Sequence, residues 1–278
     1  MASPKFQVLA FMSLTLLLLV LNKASAKTIS FNFNQFHQNE EQLKLQRDAR
    51  ISSNGVLQLT KVVNGVPTWN STGRALYAKP VQIWDSTTGN VASFETRFSF
   101  SIRQPFPRPH PADGLVFFIA PPNTQTGEGG GYFGIYNPLS PYPFVAVEFD
   151  TFRNTWDPQI PHIGIDVNSV ISTKTVPFTL DNGGIANVVI KYDASTKILH
   201  VVLVFPSLGT IYTIADIVDL KQVLPESVNV GFSAATGDPS GKQRNATETH
   251  DILSWSFSAS LPGTNNAIPT SNRHTFAS

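Results

Sequence analysis

The amino-acid sequence predicts an all-β fold, an antiparallel β-sandwich or jelly roll, on three observations. Apolar and polar residues alternate with a period of two in many short segments, as in strands with one buried face. Asn64-Gly65 and Asp181-Asn182-Gly183 supply the residues that tight hairpin turns favour. Apart from a short turn expected near Val223–Ser227, no segment has the period of an amphipathic helix. Many short strands without helices are typical of these two architectures.

The alternation predicts eleven strands within one domain, residues 27–261. They are Thr28–Phe36, Val56–Lys61, Val91–Ile102, Leu115–Ala120, Phe144–Phe152, His162–Val170, Ala186–Tyr192, Ile198–Phe205, Thr210–Asp216, Val228–Ala234 and Ile252–Ser260.

Both ends of the chain are predicted to lie outside this domain. Residues 1–26 combine Lys5, an apolar run and the small-residue motif Ala24-Ser25-Ala26, which together indicate a cleaved signal peptide. The apolar run is shorter than the roughly 20 residues that a membrane helix needs. No other stretch is long and apolar enough, so membrane insertion is not expected. Residues 262–278 are polar and aperiodic, which predicts a disordered or trimmed tail.

Composition excludes some classes of partner. The chain has 20 basic and 19 acidic residues, and loss of Lys5 and Lys23 with the leader gives a formal charge of −1. Without a strong basic field, nucleic-acid binding is not expected.

There is no cysteine, although the leader indicates secretion, so stability must come from the core, from subunit contacts or from metal. Two sequons at Asn70 and Asn245 predict glycosylation.

The segment Val145–Asp166 carries a candidate metal site. On a strand, Glu148 and Asp150 project from one face and repel each other unless a cation neutralises them. Asp157 and His162 follow, and carboxylates with an imidazole suit Mn²⁺ or a similar transition ion. The Asn154 side chain and the Phe152 carbonyl add neutral oxygens, which suit Ca²⁺. The alternative is an acidic loop with a solvated histidine.

Three stretches resemble the legume lectins: V-A-V-E-F-D-T-F, H-I-G-I-D-V-N-S and A-D-G-L-V-F-F-I-A-P-P. The similarity runs from the S-F-N-F start to the final L-S-W-S-F strand. It implies a jelly-roll, concanavalin-like sandwich that holds a Mn²⁺/Ca²⁺ pair and has no catalytic activity. The resemblance assigns Glu148, Asp150, Asp157 and His162 to the transition metal, and Asp150, Phe152 (backbone), Asn154 and Asp157 to calcium.

The same resemblance implies a shallow sugar site specific for galactose and N-acetylgalactosamine. It makes the Ala112–Asp113 peptide cis, with the Asp113 carboxylate accepting two sugar hydroxyls. The Gly131 N–H and the Asn154 amide would donate to the sugar, while Phe152 would stack on its apolar face. The polar loop Thr236–Lys242 would set specificity, with Asp238 and Ser240 as the candidates.

The family further implies a homodimeric agglutinin that binds glycans and glycoproteins, destined for a seed storage vacuole or the cell exterior. Two alternatives stay open. One is a storage or defence relative that has lost sugar binding. The other is a glycoside hydrolase on the same sandwich, which would use the strand pattern E-x-D-x-x-E. The first half of that pattern is present at Glu148 and Asp150, but Arg153 stands where the second glutamate is needed.

Overall fold

A computed structural model of the chain describes residues 26–105, 111–158, 161–237 and 246–263. Two antiparallel sheets and a two-stranded hairpin contain all of the strands in these ranges. The strands are β1 (Lys27–Phe33), β2 (Leu43–Arg47), β3 (Arg50–Ile51), β4 (Leu57–Gln58), β5 (Val62–Val63), β6 (Val66–Pro67), β7 (Thr72–Tyr77), β8 (Val81–Gln82), β9 (Ser93–Arg103), β10 (Gly114–Ala120), β11 (Val145–Asp150), β12 (His162–Val167), β13 (Lys174–Pro177), β14 (Ala186–Asp193), β15 (Ile198–Phe205), β16 (Thr210–Ile217), β17 (Ser227–Ala235) and β18 (Thr249–Leu261).

The two sheets have different surroundings. The back sheet has the order β16-β15-β14-β9-β18-β4-β3, with β1 also paired to β18. Its long strands alternate between buried and exposed residues, because only one of its faces is covered. The front sheet has the order β13-β12-β11-β10-β17-β7-β2, with β8 also paired to β17. Its central strands are buried at nearly every residue, so both of its faces are covered.

Aromatic side chains fill the space between the two sheets. Phe232 of the front sheet lies edge-on to Phe98 and Trp255 of the back sheet, with ring centroids 4.9 and 4.8 Å apart. Phe100 and Phe149 meet across the same interface at 5.0 Å. Without any cysteine, this interior supplies the cross-connection that disulfides provide in many secreted domains.

A second apolar cluster covers the outer face of the front sheet. It joins Val116, Phe118 and Ala146 to Phe133 and Ile135 of the long segment between β10 and β11. That segment contains a single 3-10 turn, Gly130–Tyr132.

Buried Arg74 ties the same segment to the sheet. Its guanidinium lies 4.7 Å from the centroid of the Phe118 ring and donates to the Gln125 carbonyl at 2.7 Å. The outer face of β11 is therefore shielded from water by a fixed loop.

The all-β sandwich predicted from the sequence is confirmed, with two corrections to its turns. Asn64 and Gly65 do form the hairpin turn of β5 and β6, both with positive φ. Gly183, by contrast, lies in a turn that joins β13 of the front sheet to β14 of the back sheet, so this turn does not close a hairpin. The turn expected near Val223–Ser227 begins earlier, as a short helix α1 (Leu220–Val223) capped by Asp219.

Several strand predictions were incomplete. The predicted strand Val56–Lys61 is reduced to β4, and the prediction of Thr28–Phe36 extends beyond the end of β1. Four front-sheet strands that the alternation did not predict are β2, β7, β8 and β13.

The ends of the chain stay as predictions. Residues 1–25 and 264–278 lie outside the described ranges, so the signal peptide and the tail are not tested. Within the described ranges, no helix has the length and apolar character needed to cross a bilayer.

Replacement of Phe232 by alanine should cost about 3–5 kcal/mol of unfolding free energy, because it empties the contact between the two sheets. Ile217→Ala is the control, since that side chain is 71% exposed and its loss should change stability by less than about 0.5 kcal/mol. Chemical denaturation of both variants measures the difference. Equal stabilities would show that the aromatic interface is not the main core.

Candidate metal centre

Strand β11 places two carboxylates on the shielded outer face of the front sheet. Glu148 and Asp150 alternate with Val147 and Phe149, and the latter pair belongs to the core between the sheets. The antiparallel register sets Asp150 opposite His162 and Glu148 opposite Gly164 of β12. A Cβ added at Gly164 would lie 2.3 Å from Glu148 Oε1, so this glycine leaves the room that the glutamate occupies.

The side chains of Glu148, Asp150 and His162 converge in a buried group. One ligand atom from each lies within 4.8 Å of the others, and all three residues are at most 2% exposed. His162 Nε2 and Glu148 Oε1 are 2.8 Å apart. Two carboxylates and an imidazole at this separation can hold a divalent ion.

Burial makes the charges of this group costly without a cation. It raises the pKa of Glu148 to about 8, helped by the nearby charge of Asp157. Burial also raises the pKa of Asp150 well above its ordinary value, and the charges of Glu148 and Asp157 add to the effect. A bound cation reverses this balance, because it stabilises the ionised carboxylates.

The loop after β11 brings further oxygen atoms that could bind a cation to this group. The Phe152 N–H donates to Asp150 Oδ1, and the Asn154 N–H donates to Asp157 Oδ2, both at 2.7 Å. Burial raises the pKa of Asp157 as well. Among the described residues, the buried Asn154 Oδ1 has no hydrogen-bond partner. Such an oxygen beside carboxylates suits a metal ion.

Asp113 approaches the same centre from the loop before β10. The Ala112–Asp113 peptide is cis, as the resemblance implied. The Asp113 N–H donates to the Ala235 carbonyl at 2.9 Å, and its own carbonyl accepts from the Thr151 N–H at 3.2 Å. Its charge raises the pKa of Asp150, so the two carboxylates are close enough to interact.

The 3-10 turn brings Gly131 against the Asn154 side chain. A Cβ added at Gly131 would lie 2.4 Å from Asn154 Oδ1, which leaves no room for a larger residue. The neighbouring Tyr132 ring stacks on Trp156 with centroids 5.8 Å apart, and this contact joins the turn to the loop that follows β11. The candidates Asp113, Gly131, Phe152 and Asn154 therefore border one centre, and Phe152 is only half-buried there.

Comparison with known proteins agrees with this geometry. Residues 28–274 match the family model of the legume lectin domain. The chain is 99% identical over 239 residues to the basic agglutinin of Psophocarpus tetragonolobus, which covers 86% of this chain and 99% of that protein. The chain belongs to the legume lectin family. The resemblance seen in the sequence is thereby confirmed.

Two solved legume lectins are close structural matches. The basic winged bean lectin with Tn-antigen has a TM-score of 0.84 and 99% identity, and covers 85% of this chain and 100% of that one. The winged bean acidic lectin complexed with methyl-α-D-galactose has a TM-score of 0.80 and 64% identity, with coverages of 84% and 99%. These relatives are named lectins or agglutinins.

Some predicted residues of this legume lectin chain are not tested by the structure. Asp238, Ser240 and Asn245 lie outside the described residues. Asn70 is exposed, which leaves its side chain accessible, and its N–H donates to the Gly237 carbonyl at 2.9 Å. The first sequon thus lies beside the start of the predicted specificity loop.

Asp166 is a further acidic residue of this group that the sequence pattern did not single out. It is fully buried, and Ser172 Oγ lies 2.7 Å from its Oδ1 and 2.5 Å from Glu148 Oε1. Burial and the charge of Glu148 raise the pKa of Asp166. The sequence did contain an indication of its position: Asp166 follows His162 by four residues on one predicted strand, so the two side chains share a face. A metal in this group would have a third buried carboxyl group close by.

Gly131→Ala should weaken divalent-cation binding by roughly tenfold or more, because the new methyl group displaces the Asn154 amide. Gly209→Ala is the control in the turn between β15 and β16 of the back sheet: its φ of +62° means that alanine strains this turn, but the new methyl group meets no side chain and cation affinity should be unchanged. Calorimetric titration of metal-stripped protein with Ca²⁺ compares the two variants. Unchanged affinity in Gly131→Ala would remove Asn154 from the ligand set.

In the metal-free protein, the free energy of unfolding should fall as the pH rises from about 5 to 8. The folded protein holds a proton on Glu148 up to about pH 8, whereas the unfolded chain releases it near 4.5. The stabilisation from this proton is complete below the unfolded pKa and is lost as the pH passes through the folded one. Metal-loaded protein should lack this loss. Thermal unfolding with and without chelator at several pH values measures it, and a metal-free protein that gains stability towards pH 8 contradicts the charge assignment.

Proposed function

We propose that this chain is a carbohydrate-binding agglutinin selective for galactose and N-acetylgalactosamine. One observation carries the proposal: the Asp113 carboxyl group, the Gly131 turn and the Asn154 amide border one buried acidic group. Sugars need charge-assisted hydrogen-bond acceptors, fixed donors and an apolar plate, and half-exposed Phe152 supplies the last of these. All four come from loops at one end of the front sheet.

The donor set supports a Ca²⁺/Mn²⁺ pair. Glu148, Asp150, Asp157 and His162 supply the carboxylates and imidazole that suit Mn²⁺. Asp150, Asp157, Asn154 and the Phe152 carbonyl supply the oxygens that Ca²⁺ prefers. When bound, the ions supply positive charge that keeps the buried carboxylates ionised. Because Asn154 serves both the calcium and the sugar, metal loading fixes the side chain that recognises the ligand.

In the proposed site, Asp113 accepts hydrogen bonds from two sugar hydroxyls. The protein holds this residue from both sides, through the Ala235 carbonyl and the Thr151 N–H. The Gly131 N–H and the Asn154 amide donate to the sugar from the opposite side. Each hydroxyl exchanges water for protein, so single-site affinity should be modest.

Galactose selectivity is supported by the relatives. A lectin 99% identical to this chain was solved with Tn-antigen, and one 64% identical was solved with methyl-α-D-galactose. We assign the choice of sugar to the loop Thr236–Lys242, with Asp238 and Ser240 as its contact residues. Loops of this kind on a rigid sandwich commonly set specificity.

The site does not favour glycoside hydrolysis. Glu148 and Asp150 are 1% and 2% exposed, so neither can approach a glycosidic bond. Arg153 occupies the position of the second glutamate that a retaining mechanism needs. The complete set of loop and metal residues also favours binding over a storage or defence role without a ligand.

Agglutination requires at least two sites in one particle, so we propose a homodimer that gains avidity from multivalency. The predicted signal peptide and the sequons at Asn70 and Asn245 support a glycoprotein of the secretory pathway, stored in a seed vacuole or released from the cell.

Calorimetric titration with galactose and with mannose, before and after metal removal, tests the proposal. Galactose should give a binding heat that disappears on metal stripping and returns with Ca²⁺ and Mn²⁺. A metal-loaded protein that binds neither sugar would support the storage or defence alternative. Selective binding of mannose would overturn the specificity.

Asp113→Ala should abolish detectable galactose binding while the fold survives, since it removes the carboxylate that accepts two sugar hydroxyls in the proposed site. Asp193→Ala is the control, because this exposed carboxylate ends β14 in the back sheet and, among the described residues, its hydrogen bonds go only to the turn that follows. Near-wild-type galactose affinity in Asp113→Ala would show that another loop binds the sugar.

A further inference from the structure

A buried hydrogen-bonded network of four polar side chains connects the back sheet with the candidate site. Thr60 Oγ1 lies 2.9 Å from His250 Nδ1, and His250 Nε2 lies 3.0 Å from Glu248 Oε1. The Thr151 hydroxyl then donates to the same glutamate oxygen at 2.5 Å. Each of these four residues is at most 5% exposed. None was singled out in the sequence, and none was assigned to the metals or the sugar above.

One end of this hydrogen-bonded network is Thr151, which contacts both β11 and the loop that contains Asp113. This residue directly follows the metal-ligand candidate Asp150, and its N–H donates to the Asp113 carbonyl at 3.2 Å. A shift of Thr151 would therefore move the Asp113 loop relative to β11.

Glu248, in the middle of this network, lies close to the predicted specificity loop. Glu248 lies two residues after Ala246, whose carbonyl accepts from the Gly237 N–H at 3.2 Å and so closes the base of that loop. Next to Glu248, the start of β18 pairs with β9 of the back sheet. Glu248 is thus placed where the returning loop enters the rigid sandwich.

We infer that Glu248 and His250 are positioning residues for sugar recognition. They act by holding the Thr151 hydroxyl through its hydrogen bond to Glu248, which in turn fixes the position of Asp113 relative to β11. The inference rests on the proposed sugar-binding function. Its physical basis is that Glu248 Oε1 accepts from the buried Thr151 hydroxyl and lies against His250 Nε2, so a movement of Thr151 would take a donor away from a buried carboxyl oxygen. Sugar contacts demand such fixed geometry, since a supporting shell that is loose by about 1 Å weakens a site.

The Thr151 side chain allows a sharp test. Thr151→Val keeps the shape of the side chain and removes the hydroxyl, whereas Thr151→Ser keeps the hydroxyl. Both variants retain the backbone N–H that Asp113 uses. Galactose affinity of the Val variant should fall roughly tenfold at unchanged metal content, as expected for one buried hydrogen bond. The Ser variant should bind within about twofold of wild type, which is a rescue that simple loss of packing would not give.

Thr96→Val is the matched control. The Thr96 hydroxyl is equally buried, accepts from Trp255 Nε1 at 3.0 Å and donates to the Ser256 carbonyl at 2.9 Å. It belongs to β9 in the back sheet, so its replacement should lower stability and leave galactose affinity unchanged. Thermal unfolding, metal analysis and calorimetric titration with galactose are performed on all three variants.

Amide hydrogen exchange gives a readout that does not depend on sugar. Exchange in the segments around Asp113 and Glu248 should be faster in Thr151→Val than in wild type, and unchanged in Thr96→Val. If wild-type protein with full metal binds no sugar, the proposed function fails, and exchange still decides whether the network fixes these loops.

Three results would overturn the inference. The first is wild-type galactose affinity in Thr151→Val with equal exchange rates. The second is a Ser variant that binds as weakly as the Val variant. The third is an equal loss of affinity in Thr96→Val, since it would reflect general destabilisation rather than positioning.

Discussion

The burial of carboxyl groups on the outer face of the front sheet is the constraint on which the candidate site depends. Glu148, Asp150 and Asp166 share that face with the apolar cluster around Phe118. Taking an ion out of water costs several kcal/mol even after the protein relaxes. Without a cation, burial raises the pKa of all three groups, the charge of Glu148 adds to the effect on Asp150 and Asp166, and the protonated state is favoured. A positive charge at this point therefore couples metal binding to the stability of the sheet.

The covered front sheet explains how loops from distant parts of the chain reach one centre. The segment between β10 and β11 must fold back over the sheet to bury Phe133 and Ile135. In doing so it brings the Gly131 turn against Asn154. The Asp113 loop is held between Thr151 and Ala235, at the ends of neighbouring strands. The segment that packs on the outer face of the front sheet is therefore also the segment that places Gly131 in the site.

Whether a strand shows a readable alternation in the sequence depends on its environment in the fold. Back-sheet strands such as β14 and β15 have one covered face, so their alternation was plain. Strand β7, in contrast, is buried at every residue and contains Gly73 and Arg74, which break any simple pattern. Its Arg74 is accommodated by the Phe118 ring and the Gln125 carbonyl, contacts that no local pattern predicts.

The sequence by itself determined the fold class, the family and the face of β11 that bears Glu148 and Asp150. Strand alternation is a local property with a period of two, so neighbouring residues suffice to reveal it. Only the tertiary structure decided how buried these carboxyl groups are and which backbone groups hold the Asp113 loop. The link from Thr151 to Glu248 spans 97 positions, and that from Thr60 to His250 spans 190. Such contacts form only when both sheets pack together, because burial and long-range hydrogen bonding are properties of the whole sandwich.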